Sequence, residues 1–272
     1  MDLESINKGP TIRMAVGGPQ YVIDKAFIKP RDCEDLPSLL CSYWYLDKLF
    51  ANRDNLFFED WVMDSGAFSA KNSGKDIDLQ EYTECCHRLL KSDSKLNEVF
   101  ALDVIGDSKA SLKNCEYMWR HGVPAIPTFH YGSDYSELIQ IAKQYPKIAL
   151  GGAVGMVSPK RLKWARYCFS IVWKSVGPTK IHGFGFGAEM LAMGCPFHST
   201  DATTWEFGPL RFGRWPTFGV LPTRGGKQNL RAEVLTNLKL QRKVRNRWSA
   251  EMDKILDSTY DRFGPIDLGS TI

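Results

Sequence analysis

The chain has 272 residues, of which 43% are hydrophobic and 24% are charged, and its formal net charge is +4. These proportions are ordinary for a globular protein, and no apolar run approaches the roughly 20 residues that a membrane span needs, so we expect no membrane partner. The N-terminal segment is polar and carries acids early, which predicts no secretory signal. Seven scattered cysteines, an odd number, favour reduced thiols in the cytoplasm over a disulfide framework.

Short apolar runs alternate along the chain with stretches of helical periodicity. In chain order, the predicted strands are Ile12–Val16, Leu39–Tyr45, Trp61–Met63, Val99–Leu102, Ala125–Phe129, Ile148–Leu150, Ile181–Gly187 and Phe197–Thr200. The predicted helices are Leu79–Lys91, Ser111–Arg120, Tyr135–Gln144, a long helix opening at Ser158-Pro159 with Ser158 as its N-cap, and Glu189–Met193. Strands that alternate with helices in this way indicate parallel βαβ units.

Two α/β folds fit this order, a closed (β/α)8 TIM-type barrel and a doubly wound open sheet. An open sheet gathers its polar residues at a single switch point. In this chain polar or glycine residues follow nearly every predicted strand, namely Gly17, Asp64, Asp103, His130, Gly151, Gly185 and Asp201. A barrel places functional groups at the carboxyl ends of many strands, so the pattern favours the barrel. No Pro/Ser-rich linker divides the chain, and residues 1–272 are therefore expected to form one barrel domain.

The C-terminal part, residues 206–272, is predicted to be a basic extension packed on the barrel, with one or two long helices within Asn229–Phe263. Between Ala202 and Ala250 the sequence carries ten Lys or Arg residues against two acids. Such a run is either a solvated helix face or a surface that contacts phosphates. Composition alone leaves both interpretations open.

Three aspartates, Asp64, Asp103 and Asp201, each follow an apolar run. An aspartate after a strand is often only the N-cap of the next helix. Three of them at barrel-strand ends would nevertheless converge on one mouth, since those ends lie at the same face of the barrel. Converging carboxylates suit either a divalent metal or glycosyl transfer through an oxocarbenium-like transition state.

Other motifs carry weaker signals. The glycine turn Gly151–Gly155 is either a tight βα turn or a place where a flat ligand approaches the backbone. The segment Gly183–Gly187 lacks the third glycine of a dinucleotide-binding loop, so no nicotinamide cofactor is predicted. Cys85-Cys86-His87 falls within a predicted helix and no Cys-x-x-Cys exists, which predicts core thiols and no metal. Cys195 has no obvious partner that would make it a nucleophile.

Taken in order, these motifs resemble the tRNA-guanine transglycosylase family. Asp64-Ser65-Gly66-Ala67-Phe68 is similar to the family's Asp-Ser-Gly-Gly-Phe motif, with Ala67 in place of one glycine. Asp103 stands where the family has its base-reading aspartate, and His130 stands where the tRNA enzymes have a glutamine. Gly151–Gly155 is similar to the family's Gly-Gly-Leu-Ala-Val-Gly turn, shortened by one residue. Asp201, preceded by the His182–Gly185 segment, matches the nucleophilic aspartate. The resemblance covers roughly residues 12–205.

One departure bears on the substrate. The tRNA enzymes carry a zinc site of three cysteines and a histidine after the strand of the nucleophile, and this sequence has no cysteine after Cys195. We therefore expect no zinc subdomain of the kind that helps support tRNA binding in those enzymes. It looks closest to the short, often phage-encoded branch that places 7-deazaguanines into DNA.

The resemblance implies an exchange of guanine in DNA for a free 7-deazaguanine base, with no cofactor and no metal. It assigns Asp201 as the nucleophile and Asp64 as its acid/base partner. The base would be bound by Asp103, Ser65, Phe68, His130, Gly151, Gly152 and Ala153. The phosphates of the nucleic acid would be bound by Arg211, Arg214, Arg224 and Lys227.

Three alternatives stay open. The same exchange could act on tRNA instead of DNA. The chain could be a non-catalytic nucleic-acid-binding subunit, although it retains all three aspartates. It could also be an unrelated metal-dependent barrel hydrolase that uses the carboxylates as ligands. The sequence does not decide the oligomeric state.

Overall fold

The computed structural model describes residues 10–16, 35–153, 155–187, 191, 194–203 and 232–246. Eight parallel strands alternate with helices, as the pattern of apolar runs predicts. The strands are β1 (Thr11–Val16), β2 (Ser38–Ser42), β3 (Trp61–Asp64), β4 (Leu96–Val99), β5 (Thr128–His130), β6 (Lys147–Gly151), β7 (Lys180–Gly183) and β8 (Ser199–Ala202).

The sheet closes on itself and forms a (β/α)8 barrel. Its strand order is β4-β3-β2-β1-β8-β7-β6-β5, so the first strand pairs with both the second and the last. The two ends of this order meet through a parallel bridge between Phe100 and Ile126, where the Ile126 N–H donates to the Val99 carbonyl at 2.9 Å. The predicted fold class is confirmed.

Six of the described helices lie in the connections between strands, and the seventh follows β8. They are α1 (Leu46–Asn52), α2 (Ala67–Asn72), α3 (Leu79–Ser92), α4 (Ser108–Arg120), α5 (Tyr135–Gln144), α6 (Ser158–Ser175) and α7 (residues 232–246). Three of them begin at an aspartate whose side chain accepts a backbone N–H of the first turn: Asp78, Asp107 and Asp134. The α6 helix carries Pro159 in its first turn as predicted, but its N-cap is Val157, and Ser158 is already helical.

Several predicted boundaries shift. The strand expected at Val99–Leu102 pairs earlier, as β4 at Leu96–Val99, because Asn97 and Glu98 interrupt the apolar run while the pairing with β3 continues past a register shift at Asn97. The run expected at Leu39–Tyr45 ends its strand at Ser42, whose hydroxyl caps a 3-10 turn over Tyr43–Tyr45. The predicted helix Glu189–Met193 falls mainly outside the described residues.

The barrel interior is built in layers, because every second residue of a strand points inward. One layer is apolar and consists of Ala15, Leu40, Val62, Phe100, Ile126 and Ala149. Two residues further along three of these strands lie Ser42, Asp64 and Gly151, at the carboxyl ends. The apolar layer is therefore the floor beneath the mouth of the barrel.

A charged layer lies on the other side of that floor, towards the amino ends of the strands. The Lys147 ammonium contacts both carboxylate oxygens of Glu98, at 2.7 and 2.8 Å. The Arg13 guanidinium contacts Glu98 at 3.6 Å and Asp60 at 3.2 Å. Burial lowers the pKa of Lys147 to about 8, while the cations, against the effect of burial, lower the pKa of Glu98 to about 2. Lys147 and Glu98 are thus a charged pair at neutral pH.

The α7 helix packs at the amino end of β1, which locates part of the predicted C-terminal extension. Gln241 accepts the Ile12 N–H at 2.7 Å, and Arg245 donates to the Pro10 carbonyl at 3.1 Å. Arg242 pairs with Asp35 at 3.3 Å. These two arginines belong to the basic run, but they bind the chain itself at the end of the barrel opposite the mouth. A second C-terminal helix would lie outside the described residues.

We expect Lys147→Met to lower the free energy of unfolding by about 3–5 kcal/mol, because it leaves the Glu98 carboxylate without its main partner. Urea denaturation measures this, with Lys143→Met on the exposed face of α5 as the control. The double variant Lys147→Met/Glu98→Met should regain part of the loss. A double variant no more stable than the single one would contradict the role of the pair.

Candidate active site

The predicted site residues come together at the mouth of the barrel. Asp64 ends β3, Asp103 follows β4, His130 ends β5, Gly151 ends β6, and Asp201 lies in β8. All of these positions are at the carboxyl ends of parallel strands, which meet at one face. Their charges act on one another, since Asp103 and Asp201 both raise the pKa of Asp64. The structure therefore forms a single cluster of carboxylates.

Helix capping does not explain the first two aspartates. The N-cap of α2 is Gly66, and the N-cap of α4 is Asp107. Asp64 accepts the Gly66 N–H at 3.1 Å, which fixes the carboxylate against the start of α2 without capping the helix. Asp201 lies inside β8. The capping interpretation that the sequence left open is thus disfavoured.

Asp201 is almost fully buried, with 7% of the residue exposed. Its Oδ1 accepts the Gly185 N–H at 3.0 Å and faces His182 Nε2 at 3.2 Å. Burial raises the pKa of Asp201 to about 7, although the Gly185 N–H and the Arg13 charge act in the opposite direction. At neutral pH this carboxyl group therefore exists in both protonation states.

Asp64 has a similar electrostatic environment. Burial, and then the charges of Asp103 and Asp201, raise its pKa to about 7. Asp64 and Asp201 lie in one mouth and both titrate near pH 7, so near neutrality the two groups together hold about one proton. Such a pair offers one ionised carboxylate and one acid at the same time.

Gly66 is required at its place by both space and backbone conformation. Its φ is +77°, and a Cβ atom there would lie 2.0 Å from the Ser42 hydroxyl oxygen. Ser65, beside it, is 1% exposed, and its hydroxyl accepts the Ala67 N–H at 3.4 Å. This tight turn holds Asp64 in place from the side of α2.

Asp103 and His130 form a second polar pair. Asp103 Oδ2 lies 3.2 Å from His130 Nε2. Although burial alone would lower it, the pKa of His130 is raised, because Asp103 binds the protonated ring. Asp103 Oδ1 is buried and has no hydrogen-bond partner among the described residues. A buried oxygen of this kind is costly unless a ligand donates to it.

The glycine turn after β6 brings backbone to the same mouth. A Cβ atom on Gly151 would lie 2.8 Å from Thr128 Cγ2, and one on Gly152, whose φ is +76°, would lie 3.1 Å from the Tyr131 nitrogen. Ala153 is 1% exposed and packs in the hydrophobic core. At Gly151 and Gly152 the turn therefore has no room for larger side chains.

Among the remaining residues considered in the sequence, Phe68 and Cys195 are described by the structure and the four basic residues are not. Phe68 is 57% exposed on α2, where its ring is free to meet a ligand. Arg211, Arg214, Arg224 and Lys227 lie outside the described residues. Cys195 is fully buried, and burial raises its pKa to about 12, so it is poorly suited to act as a nucleophile.

Sequence reasoning missed His182 and Ser199. Both are fully buried, and His182 Nδ1 lies 2.8 Å from Ser199 Oγ. Gly183–Gly187 was considered as a weak cofactor loop, and His182–Gly185 entered only as the segment that precedes Asp201 in the resemblance, with no role for the His182 side chain. The available signal was the period of two, which places His182 and Phe184 inside the barrel with Asp201 on the next strand.

The buried lysine of the barrel belongs to another part of the molecule. Lysines with a lowered pKa serve as Schiff-base nucleophiles in some enzymes, and the pKa of Lys147 is lowered by burial. Lys147 is, however, the first residue of β6, away from the mouth, and both Glu98 oxygens bind it. Its role is in the charged layer.

Among the described residues, no group of three or more His, Cys, Asp or Glu side chains is arranged to hold a metal ion. In the same part of the chain no helix has the length and apolarity needed to cross a membrane. The six cysteines that the structure describes are free and buried.

No protein-family model matches this chain, and no curated protein matches it either. Solved structures do match it. A proposed fructose-1,6-biphosphate aldolase from Coccidioides immitis is 13% identical, with 95% of this chain and 94% of that chain covered and a TM-score of 0.49. The YdjI aldolase from Escherichia coli K12 is 9% identical, with 95% and 96% covered and a TM-score of 0.45.

The carboxyl transferase domain of Rhizobium etli pyruvate carboxylase is 11% identical, with 96% of this chain and 55% of that chain covered and a TM-score of 0.48. Identities this low say nothing about activity. The class of protein is therefore defined by the strand order, the closure and the site: a (β/α)8 barrel with three carboxylates at its mouth.

We expect Asp64→Asn to stabilise the fold at alkaline pH. Between about pH 4 and pH 7 the folded state holds a proton on Asp64 that the unfolded chain has released, so wild-type stability falls as the pH rises through this window. Asparagine does not titrate, so the variant loses no stability at residue 64 as the pH rises. The difference in the free energy of unfolding between variant and wild type should therefore grow in favour of the variant by about 2–3 kcal/mol from pH 5 to pH 8. Urea denaturation at both pH values measures this, and exposed Asp76→Asn is the control. Equal pH dependence in variant and wild type would show that Asp64 is not perturbed.

Proposed function

We propose that the chain is an enzyme, a transglycosylase that exchanges guanine in DNA for a free 7-deazaguanine base through a covalent aspartyl-glycosyl intermediate. One observation carries the proposal above the others: a buried Asp201, whose Oδ1 contacts the Gly185 N–H and His182 Nε2, shares the mouth with a second carboxyl group of pKa about 7. That pairing suits a nucleophile beside an acid/base group. The resemblance of the motifs supplies the substrate class.

In the first half of the reaction, Asp201 attacks the anomeric carbon of the target nucleotide. A bond forms between a carboxylate oxygen and that carbon, while the bond to N9 of guanine breaks and its electron pair leaves with the base. Asp64, which holds the shared proton, gives it to the departing base. Guanine leaves the pocket and the sugar remains attached to the protein as an ester.

In the second half, a 7-deazaguanine enters the same pocket. Its N9 attacks the anomeric carbon, the ester bond to Asp201 breaks, and Asp64 takes up the N9 proton. The carboxyl groups return to their initial protonation, so no cofactor and no metal is consumed. A pKa near 7 lets one carboxyl group act as acid and then as base at neutral pH.

Asp103 is the group that selects guanine-like bases in this proposal. N1–H and the exocyclic amine of guanine are two adjacent donors, and a carboxylate accepts both. The unpartnered Oδ1 of Asp103 supports this assignment, since a bound base would satisfy it. His130, bound to Oδ2, holds the carboxylate in place.

The choice of polymer rests on the sequence. DNA is favoured over tRNA because the sequence has no cysteine after Cys195 to supply a zinc subdomain. A base inside a duplex does not reach a buried carboxylate, so the target must be flipped out or single-stranded. A purely nucleic-acid-binding role, the alternative from another class, would have no use for buried carboxyl groups held near neutral pKa.

We expect Asp201→Asn to lose exchange by at least about a thousandfold, because an amide cannot form the glycosyl ester. The measurement is incorporation of labelled guanine into DNA, and separately into tRNA. Binding of the polymer should persist within a few-fold, and exposed Asp76→Asn should remain active. Retained exchange in Asp201→Asn would refute the assignment of Asp201 as the nucleophile. If the wild type incorporates guanine into neither DNA nor tRNA, the proposed function is refuted.

The pH dependence of kcat/KM should be bell-shaped around pH 7. Its acid limb reflects ionisation of Asp201, and its alkaline limb reflects loss of the proton from Asp64. Asp64→Asn should therefore lower the rate and remove the alkaline limb. A profile that is flat between pH 6 and pH 8 in the wild type would contradict the shared-proton pair.

A further inference from the structure

Both donors to Asp201 act on the same oxygen. The Gly185 N–H and His182 Nε2 reach Oδ1 at 3.0 and 3.2 Å, from the loop after β7 and from β7 itself. An oxygen that accepts two hydrogen bonds is restrained and carries much of the negative charge. The other oxygen, Oδ2, is then the one that can face a reacting atom in the mouth.

His182 is suited to orient the Asp201 carboxylate because its ring is tightly packed. It is fully buried, and its ring contacts those of Phe100 and Phe184 at centroid distances of 4.8 and 4.7 Å. Its own Nδ1 lies 2.8 Å from Ser199 Oγ. The ring is thus fixed by two aromatic neighbours and by polar contacts at both nitrogens.

Asp201 and Ser199 also determine which nitrogen of the His182 ring carries the proton. Nε2 faces a carboxylate oxygen, so it carries the hydrogen, and Nδ1 then accepts the Ser199 hydroxyl proton. When Asp201 is protonated, the ring can accept from the carboxyl group and donate to Ser199, because a hydroxyl serves as either donor or acceptor. Ser199 therefore allows a neutral His182 to pair with both forms of Asp201.

We propose that His182 is a positioning residue for the nucleophile: it holds Oδ1 of Asp201 so that Oδ2 faces the mouth, and Ser199 holds the imidazole ring in this orientation. This deepens the proposed function and rests on it for the word nucleophile. No proton leaves His182 during the reaction. Its contribution is to orient the carboxylate and to favour the ionised form.

The charges around His182 are consistent with a neutral ring. Burial lowers its pKa well below the usual value, and the cations Lys147 on β6 and Arg13 on β1 lower it further. Glu98 on β4 acts in the opposite direction and does not outweigh them. On β8, the ring faces Asp201 and Ser199, and the nearby His198 is also neutral, with burial lowering its pKa to about 3.

Three variants test the proposal. His182→Leu keeps an apolar side chain in the site and removes both polar contacts. His182→Gln restores an N–H donor towards Asp201. Ser199→Ala removes only the hydroxyl that orients the ring, and it keeps the proposal testable if His182→Leu does not fold. His121→Gln, at the exposed end of α4, is the matched control.

Two readouts separate positioning from a merely structural role. The pKa of Asp201 is measured directly by carbon NMR of its labelled carboxyl group, with Asp201→Asn for assignment. The exchange reaction gives kcat and KM as functions of pH. The first readout does not depend on the proposed function, so a wild type that exchanges no base would refute that function and still leave the role of His182 decided.

His182→Leu should raise the pKa of Asp201 by about one pH unit, since the lost donor favours the charged form. The acid limb of kcat/KM should move by the same amount, with kcat lowered about 10- to 100-fold and KM little changed. His182→Gln should return the pKa of Asp201 most of the way to its wild-type value. Ser199→Ala should raise the pKa of Asp201 by a smaller amount than His182→Leu. An Asp201 pKa that is unchanged in His182→Leu, or in Ser199→Ala if the former does not fold, would overturn the proposal. So would a glutamine variant no better than the leucine variant.

Discussion

The closure of the sheet is the constraint on which the candidate site depends. Asp64 and Asp201 are far apart in the sequence and belong to β3 and β8, which are not neighbours in the sheet. They share one mouth only because β1 pairs with β8 and because the bridge between Phe100 and Ile126 joins the two ends of the strand order. In an open sheet the same residues would lie along an edge, where water would screen them. Closure thus creates both the proximity and the burial that raise their pKa values.

Those raised pKa values have an energetic cost, and the layers beneath the mouth show where it is offset. Desolvation penalises each carboxylate, and the apolar floor strengthens that effect by keeping water out from below. Arg13, in the charged layer, acts through the floor in the opposite direction and lowers the pKa of Asp201. The balance leaves the pair near neutrality, while the hydrogen bonds from Gly66 and Gly185 fix its geometry. Active sites often retain groups that reduce stability in this way.

The sequence predicted the parts of the structure that follow from local periodicity. Helix α5 has the predicted bounds, and Asp64, Asp103 and Asp201 lie at strand ends as expected. What it did not predict depends on contacts across the barrel. Glu98 reads as a break in an apolar run, because nothing local shows that Lys147 and Arg13 lie opposite. His182 was overlooked for the same reason, since its partners Ser199 and Asp201 lie on the next strand. The contact of His130 with substrate stays a prediction, and its pairing with Asp103 is a further contact that the sequence did not predict.

The charged layer also bears on how the barrel finds the right strand alignment during folding. Arg13 joins β1 to Asp60, 47 residues away, and Lys147 joins β6 to Glu98, 49 residues away. A parallel strand that slips by one residue exchanges its inward and outward faces. Such a slip in β6 would turn Lys147 towards the helices and leave Glu98 with an uncompensated charge. The ion pairs therefore disfavour misaligned strand registers. A barrel with a shifted strand carries an electrostatic penalty that aliphatic side chains at the same positions would not impose.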